Sequence, residues 1–280
     1  MNKKILIICR GGGDLATGIV HRLFRAGFPV LVLETDSPAA IRRQVSFSEA
    51  VYDGTATVEG VTAERIASAN RASVNHVLEE GRVPILVDPE GSSIPLLKPD
   101  IVVDAIIAKK NLGTAKEMAP LVIGVGPGFT AGEDVDLVVE SMRGHNLARI
   151  LETGSALANT GIPGNIGGYT KERVIHAAAE GYMKNLHQIG DVVRKGEKIA
   201  RIYEQMSPEG VFSGRFVSVE ATIPGVLRGL IREGYHFQKG FKIADIDPRE
   251  SELANCFTIS DKASSIGGSV LEAVCRYVNG

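Results

Sequence analysis

Residues 11–16 read Gly11-Gly12-Gly13-Asp14-Leu15-Ala16, a G-x-G-x-x-A pattern, and Glu34 follows about twenty residues later, the spacing of a dinucleotide-type turn. In such a turn the first glycine permits a tight bend and the second lets the backbone approach a phosphate. The helix that follows offers unpaired N–H groups and a partial positive charge. Gly11, Gly12, Gly13 and Ala16 are therefore candidate phosphate contacts, and Glu34 a candidate acceptor for ribose hydroxyls. Asp14 can satisfy the same N–H groups as a helix cap, and the alternative reading is an α/β sheet with glycine-tight packing and no nucleotide.

Two later stretches carry basic groups where strands are expected to end. They are DAIIAKKN, with Lys109, Lys110 and Asn111, and RGHNLAR, with Arg143, His145 and Arg149. Ligands of open α/β sheets bind at strand carboxyl ends, so these side chains are candidates for the anionic end of a ligand. Between them lies GVGPGFTAGEDVD, whose Gly126 and Gly128 suit a loop wrapping a ligand and equally a turn. His145 is a candidate proton shuttle, or a structural imidazole. Cys256 is a candidate carrier of sulfur or selenium, or a buried inert thiol. The six histidines show no metal-ligand spacing, so no metal is expected.

The elements that must position these groups begin with an apolar run at 5–9, read as a strand covered on both faces. Helical spacing of apolar residues follows over 14–26, ended by Gly27, and then a strand at 29–33. Residues 38–59 lack periodicity and read as a loop. The pattern predicts a helix over 63–78 and further strands at 84–87, 101–107, 121–125 and 135–139. A glycine-dense passage at 154–168 separates this region from the next.

There an internal repeat appears: GDVVRKGEKIARI at 190–202 aligns without gaps on GYHFQKGFKIADI at 234–246, with seven of thirteen positions identical. Gly181 and Gly225 correspond as well, each nine residues before its unit. Two such units related by a pseudo-twofold would close a small β-sandwich that resembles the barrel-sandwich hybrid of biotinyl and lipoyl carrier domains. A carrier presents a lysine between its halves, yet the connection 203–222 has none. The expected fold class is thus α/β: a Rossmann-like parallel sheet (1–165), a small all-β barrel-sandwich hybrid domain (166–250) for docking or dimerisation, and a C-terminal helix in the segment 251–280.

At 280 residues and 44% hydrophobic content the chain supports real cores, and a net charge of −2 provides no global field to recruit nucleic acid or an anionic membrane. The three cysteines, Cys9, Cys256 and Cys275, are too few and odd for a disulfide framework and point to the cytoplasm. The five-residue apolar run of the start is read as a strand rather than a signal peptide, and no stretch reaches the roughly 20 apolar residues of a membrane span.

In combination, RGGGDLATG, VSFSEAVYDG at 45–54, AKKNLGT at 108–114, GPGFTAGEDVD, RGHNLAR, NTGIPGNIGGYTKERV, GDVVRKGEKIA and CFTISDKA resemble the YqeB-type proteins of the selenium-dependent molybdenum hydroxylase system. The resemblance spans essentially the whole chain. It implies an accessory role in maturation of such a hydroxylase, with the hydroxylase and other maturation proteins as partners and a nucleotide (NAD-like) or molybdopterin species as small anionic cofactor. A homo-oligomer is compatible with it. Two other readings stand beside it. An NAD-dependent oxidoreductase lacks a recognisable tyrosine-lysine or cysteine-histidine pair, and a non-catalytic scaffold would only dock a partner.

Overall fold

The computed structural model describes residues 5–161 and 164–280. Ile162 and Pro163 of the motif at 159–174, and the first four residues of the expected leading strand's approach, lie outside the described residues. The chain divides into two compact units. The first comprises the chain up to Pro38, Val45–Thr160 and Ile259–Gly280; the second comprises Ala39–Gln44 and Gly161–Thr258. The stretch 251–280 is therefore not a segment by itself, because its helix folds within the first unit.

In the first unit the chain runs β1 (Ile7–Arg10), α1 (Asp14–Arg25), β2 (Val30–Glu34), α2 (Ala50–Asp53), β3 (Thr55–Val58), β4 (Val61–Ile66), α3 (Arg71–Glu79), β5 (Val83–Val87), α4 (Ile94–Leu97) and β6 (Ile101–Asp104). It continues through β7 (Leu121–Val125), β8 (Thr130–Ala131), β9 (Leu137–Val139), β10 (Ile150–Leu151) and β11 (Gly154–Ser155), and ends in α5 (Asp261–Asn279). Nine strands form one sheet in the order β10-β9-β7-β6-β1-β2-β5-β4-β3, while β8 and β11 pair separately. The seven central strands run parallel, and β3 and β10 close the edges antiparallel.

Both faces of the sheet are buried, which is why its central strands are continuous apolar runs rather than alternating ones. Ile7, Cys9, Val30 and Val32 face a core shared with Ile19 and Leu23 of α1 and Ile266 and Val270 of α5. Ile8, Leu31 and Leu33 face the opposite core with Val74 and Val77 of α3 and Leu97 of α4.

These features correct the expected Rossmann-like parallel sheet. The sheet is mixed, and no α-helix connects β6 to β7 or β7 to β9. Residues 105–120 and 126–136 carry glycine, proline and asparagine without a helical apolar period, so they cannot supply a covering helix. Phe129, Ala131 and Val135 of these connections pack in the core with Ile8 and Leu31, while α5, from the far end of the sequence, packs with α1 on the other face. The helix expected over 63–78 is likewise β4 followed by α3, with Asn70 accepting the Ser73 N–H at 2.8 Å as the cap that starts the helix.

The second unit contains β12 (Val174–His176), β13 (Gly181–Asn185), β14 (Val192–Val193), β15 (Lys198–Met206), β16 (Phe212–Glu220), β17 (Gly225–Leu230), β18 (His236–Phe237) and β19 (Lys242–Asp247). Two four-stranded sheets result, β12-β19-β17-β14 and β16-β15-β13-β18, around a common apolar core. The repeat explains the pairing. β13-β14-β15 corresponds to β17-β18-β19, and each sheet takes its short strand from the other repeat: Gly181 pairs with Phe237, Gly225 with Val193. Both glycines have strongly positive φ (+151° and +145°), and a Cβ on either would lie 2.3 or 2.2 Å from the carbonyl oxygen of Tyr203 or Asp247. Those two residues occupy equivalent places, each 22 positions beyond its glycine. Such approaches admit only glycine.

Candidate functional site

The chain builds the sheet outward on one side of β1 as far as β5, β4 and β3, then returns to add β6, β7 and β9 on the other side. β1 and β6 are thus neighbours whose outgoing connections diverge, and such a reversal opens a crevice at the strand carboxyl ends. Gly11 to Gly13 and Asp104 to Ile107 lie there.

The three glycines have separate physical reasons. Gly11 has φ +98°, and a Cβ would stand 3.0 Å from the Ala105 carbonyl oxygen, so the fold itself requires glycine. Gly12 is enclosed. Its N–H donates to Glu34 Oε2 at 2.7 Å, its carbonyl accepts the Ser48 N–H at 2.8 Å and the Thr17 hydroxyl at 3.1 Å, and a Cβ would meet Ser48 N at 3.1 Å. Gly13 differs from both. Its φ of −66° suits any residue, and nothing lies within 4 Å of the Cβ it lacks. Gly13 is also the N-cap of α1, which receives no side-chain cap. Asp14 is the first helical residue rather than the cap, and Ala16 is buried in the core.

Glu34 is half-buried, with Oε2 on Gly12 N–H and Oε1 on Thr35 N–H at 2.8 Å. Loss of hydration pushes its carboxyl above the ordinary range, and the two N–H bonds counter this only in part.

On the other face of the sheet, the side of Ile8 and Val102, stands a buried polar triad that no motif in the sequence announces. Thr114 Oγ1 accepts from Arg10 Nη1 at 2.5 Å and donates to Asp104 Oδ2 at 2.6 Å, with Arg10 and Asp104 3.8 Å apart. Arg10 also donates to the Pro89 carbonyl at 3.0 Å. Burial raises the Asp104 pKa, against the Thr114, Ile106 and Arg10 interactions that lower it. Asn111, a candidate ligand contact, instead holds this loop: its Oδ1 accepts the Thr114 N–H and its Nδ2 donates to the Thr114 carbonyl, both at 2.8 Å. The only sequence signal was an arginine ending a buried apolar run.

The loop from β6 is strained. Ile107 and Lys109 have φ of +59° and +64°, and for β-branched Ile107 this region is a genuine outlier. The side chains of Lys109 and Lys110 are exposed. Gly128 packs its missing Cβ 2.7 Å from Lys110 Cα, and Gly126 packs 2.6 Å from Ser141 Oγ, so these glycines close loops onto each other.

After β9, Arg143 makes a two-pronged pair with Asp261 at 2.7 and 2.8 Å. His145 and Arg149 are exposed. Buried Glu140 accepts the N–H groups of Met142 at 2.6 Å and Leu157 at 2.8 Å. The Arg143–Asp261 pair joins these loops to α5, whose next residue is Lys262. It is half-buried, and its pKa lies below the ordinary lysine value, first through burial and next through Arg143; Asp14, Glu140 and Asp261 oppose the shift. Lys262 belongs to the motif CFTISDKA, six positions after Cys256. Cys256 belongs to the second unit, is buried, and has its thiol pushed up by burial, against Arg228 and Arg42, so it is not an activated thiolate. Among the described residues no group of three or more His, Cys, Asp or Glu side chains could hold a metal ion, and no helix is long and apolar enough to cross a membrane.

The strand carboxyl ends of this α/β unit thus carry side chains of both charges. No protein-family model matches the chain. It is 47% identical over 274 residues to the uncharacterized protein YqeB of Escherichia coli K12, which covers 98% of this chain and 48% of that protein. This supports the resemblance to YqeB-type proteins, and the chain spans about half the length of the curated relative it matches. Among solved structures, the product-bound ectoine utilization protein EutE of Ruegeria pomeroyi is similar at 12% identity and a TM-score of 0.27, covering 86% of this chain and 84% of that one. An aspartoacylase family protein of Mesorhizobium loti gives 9%, 0.30, 88% and 86%, and a succinylglutamate desuccinylase/aspartoacylase of Rhodobacter sphaeroides 14%, 0.28, 89% and 87%.

These comparisons correct the expected role. The relative is named only as an uncharacterized protein, and the structures are named as an ectoine utilization protein and as aspartoacylase and desuccinylase proteins, none of them as a selenium, molybdenum or hydroxylase maturation protein. The similarities at these TM-scores assign it no activity of their own.

Proposed function

We infer that the strand-end crevice of the first unit binds a small phosphorylated ligand of the nucleotide type. Gly13 carries this reading: neither its backbone angles nor its neighbours require glycine, and it stands at an uncapped helix start. A phosphate approaching there would use the first-turn N–H groups of α1, which a side chain at position 13 would block. Lys262 supplies the nearby positive charge, and the lone pairs left on Glu34 suit ribose hydroxyls. The strain at Ile107 and Lys109 on the opposite lip of the crevice fits a ligand-contacting loop. The three free cysteines fit a reducing compartment such as the cytoplasm.

Thermal unfolding in the presence of NAD, ATP, CTP and GTP tests this. A ligand at one hundred times its dissociation constant adds about 2.7 kcal/mol of stability. At least one nucleotide should stabilise the protein, and Gly13→Val and Lys262→Met should each remove the effect while leaving the ligand-free transition in place. A flat response across the nucleotides, or stabilisation retained in Gly13→Val, would refute the assignment.

A further inference from the structure

On the other half of α1, away from the crevice, a cavity of about 250 Å³ is lined by His21, Arg22 and Arg25 together with Glu59, Ser264 and Gly18. Gly13 and Arg25 are twelve residues apart, about 18 Å along a helix, so the cavity is separate from the uncapped helix start. We propose that this cavity is a second ligand site, for a small phosphate-type oxyanion.

The first argument is charge. Two guanidinium groups and an imidazole converge on a space with a single acidic wall residue, Glu59, whose Oε1 is already engaged by the Ile259 N–H at 2.8 Å. Basic residues in the last turn of a helix complement its dipole, but that does not require them to share one concavity with groups from another helix. Arg25 is exposed and has no hydrogen bond or ion pair among the described residues.

The second argument is order. Arg22 Nη2 is held by Ser264 Oγ at 2.5 Å, which leaves the serine proton free to donate into the cavity. The His21 ring is fixed at Nε2 by the Glu59 carbonyl at 3.3 Å. Glu59 itself has φ +44°, a conformation that non-glycine residues adopt at a cost, and it holds the turn that walls the cavity. The site is thus shaped by α1, by the β3–β4 turn and by the start of α5.

The third argument is size and shape. Cavities for drug-sized ligands run from about 300 to 1,000 Å³, so this one suits a compact anion rather than a whole nucleotide. Donors reach it from two helices, an arrangement matched better by a tetrahedral oxyanion with three outward oxygens than by a carboxylate with two.

Calorimetric titration of the full chain with inorganic phosphate, sulfate and succinate, joined to amide chemical shifts along α1, tests the proposal. Saturable phosphate binding is expected, with shifts centred on residues 18–25 and succinate weaker than phosphate. Arg25→Ala should weaken binding about tenfold or more, and the phosphate-induced shifts at residues 18–25 should persist in Gly13→Val. Absence of saturable binding, an unchanged affinity in Arg25→Ala, or succinate binding more tightly than phosphate would each overturn it. So would loss of phosphate binding in Gly13→Val, which would assign the anion to the strand-end crevice instead.

Discussion

Gly267 of α5 lies so close to Gly18 of α1 that a Cβ on Gly267 would stand 2.6 Å from the Gly18 carbonyl oxygen. In the other direction, a Cβ on Gly18 would meet the Ala263 Cβ at 2.7 Å. The two helices therefore pack through small residues, and that contact brings Lys262 toward the strand ends. Gly18→Ala and Gly267→Ala should each lower stability by about 1–3 kcal/mol through overpacking. Urea unfolding measures this, and wild-type stability in both variants would mean that α5 is not held at this crossing.

Gly11 and Gly13 should differ in their response to the same change. Gly11→Ala forces a side chain into left-handed backbone, at about 1–2 kcal/mol for the conformation alone, and against the Ala105 carbonyl besides. Gly13→Ala loses a little as a poorer cap and gains a little through the unfolded chain, so its net effect should stay within about 1 kcal/mol. Comparing the two unfolding midpoints checks the distinction on which the ligand reading rests.

Thr114 bridges two buried charged groups, and its hydroxyl both accepts and donates. Thr114→Val keeps the shape but leaves Arg10 and Asp104 each short of a partner, which should cost about 1–3 kcal/mol, while Thr114→Ser should recover most of it. Equal stability of the valine and serine variants would show that the hydroxyl contributes nothing.

Glu34 gives a pH dependence of definite sign. Its folded-state pKa is raised above the ordinary 4.5, so the folded protein holds this proton more tightly than the unfolded chain. Stability should therefore fall as pH rises from about 4.5 through the folded pKa. Glu34→Gln keeps an acceptor for the Gly12 N–H and should remove this slope, so its advantage over wild type should grow with pH across that window. Paired pH–stability curves test the sign.

The cysteines should separate by exposure. Cys9 and Cys256 are buried and their thiols are pushed up by desolvation, whereas Cys275 is only partly covered. A thiol-specific disulfide reagent should modify Cys275 in the folded protein and reach the other two only on unfolding, read as mass increments before and after denaturant. Rapid labelling of Cys256 in the native state would contradict its burial.

Elements whose physics is short-range are legible along the chain. The strands of 5–9 and 29–33 and the helix after Gly13 were legible because apolar period and glycine punctuation act within a few residues. The duplicated unit was legible as identity at 190–202 and 234–246. Tertiary structure decided what those elements face. Nothing local says that Asn111 would pin Thr114, that Arg10 would be buried under it, or that Gly126 and Gly128 would pack against Ser141 and Lys110. The helix over 63–78 failed because Val61–Ile66 also suits a strand, and pairing with β5 settles the choice. Lys262 was illegible for the same reason. Its depressed pKa comes from burial and from Arg143 more than a hundred positions away, which the Arg143–Asp261 pair at the start of α5 holds close to it.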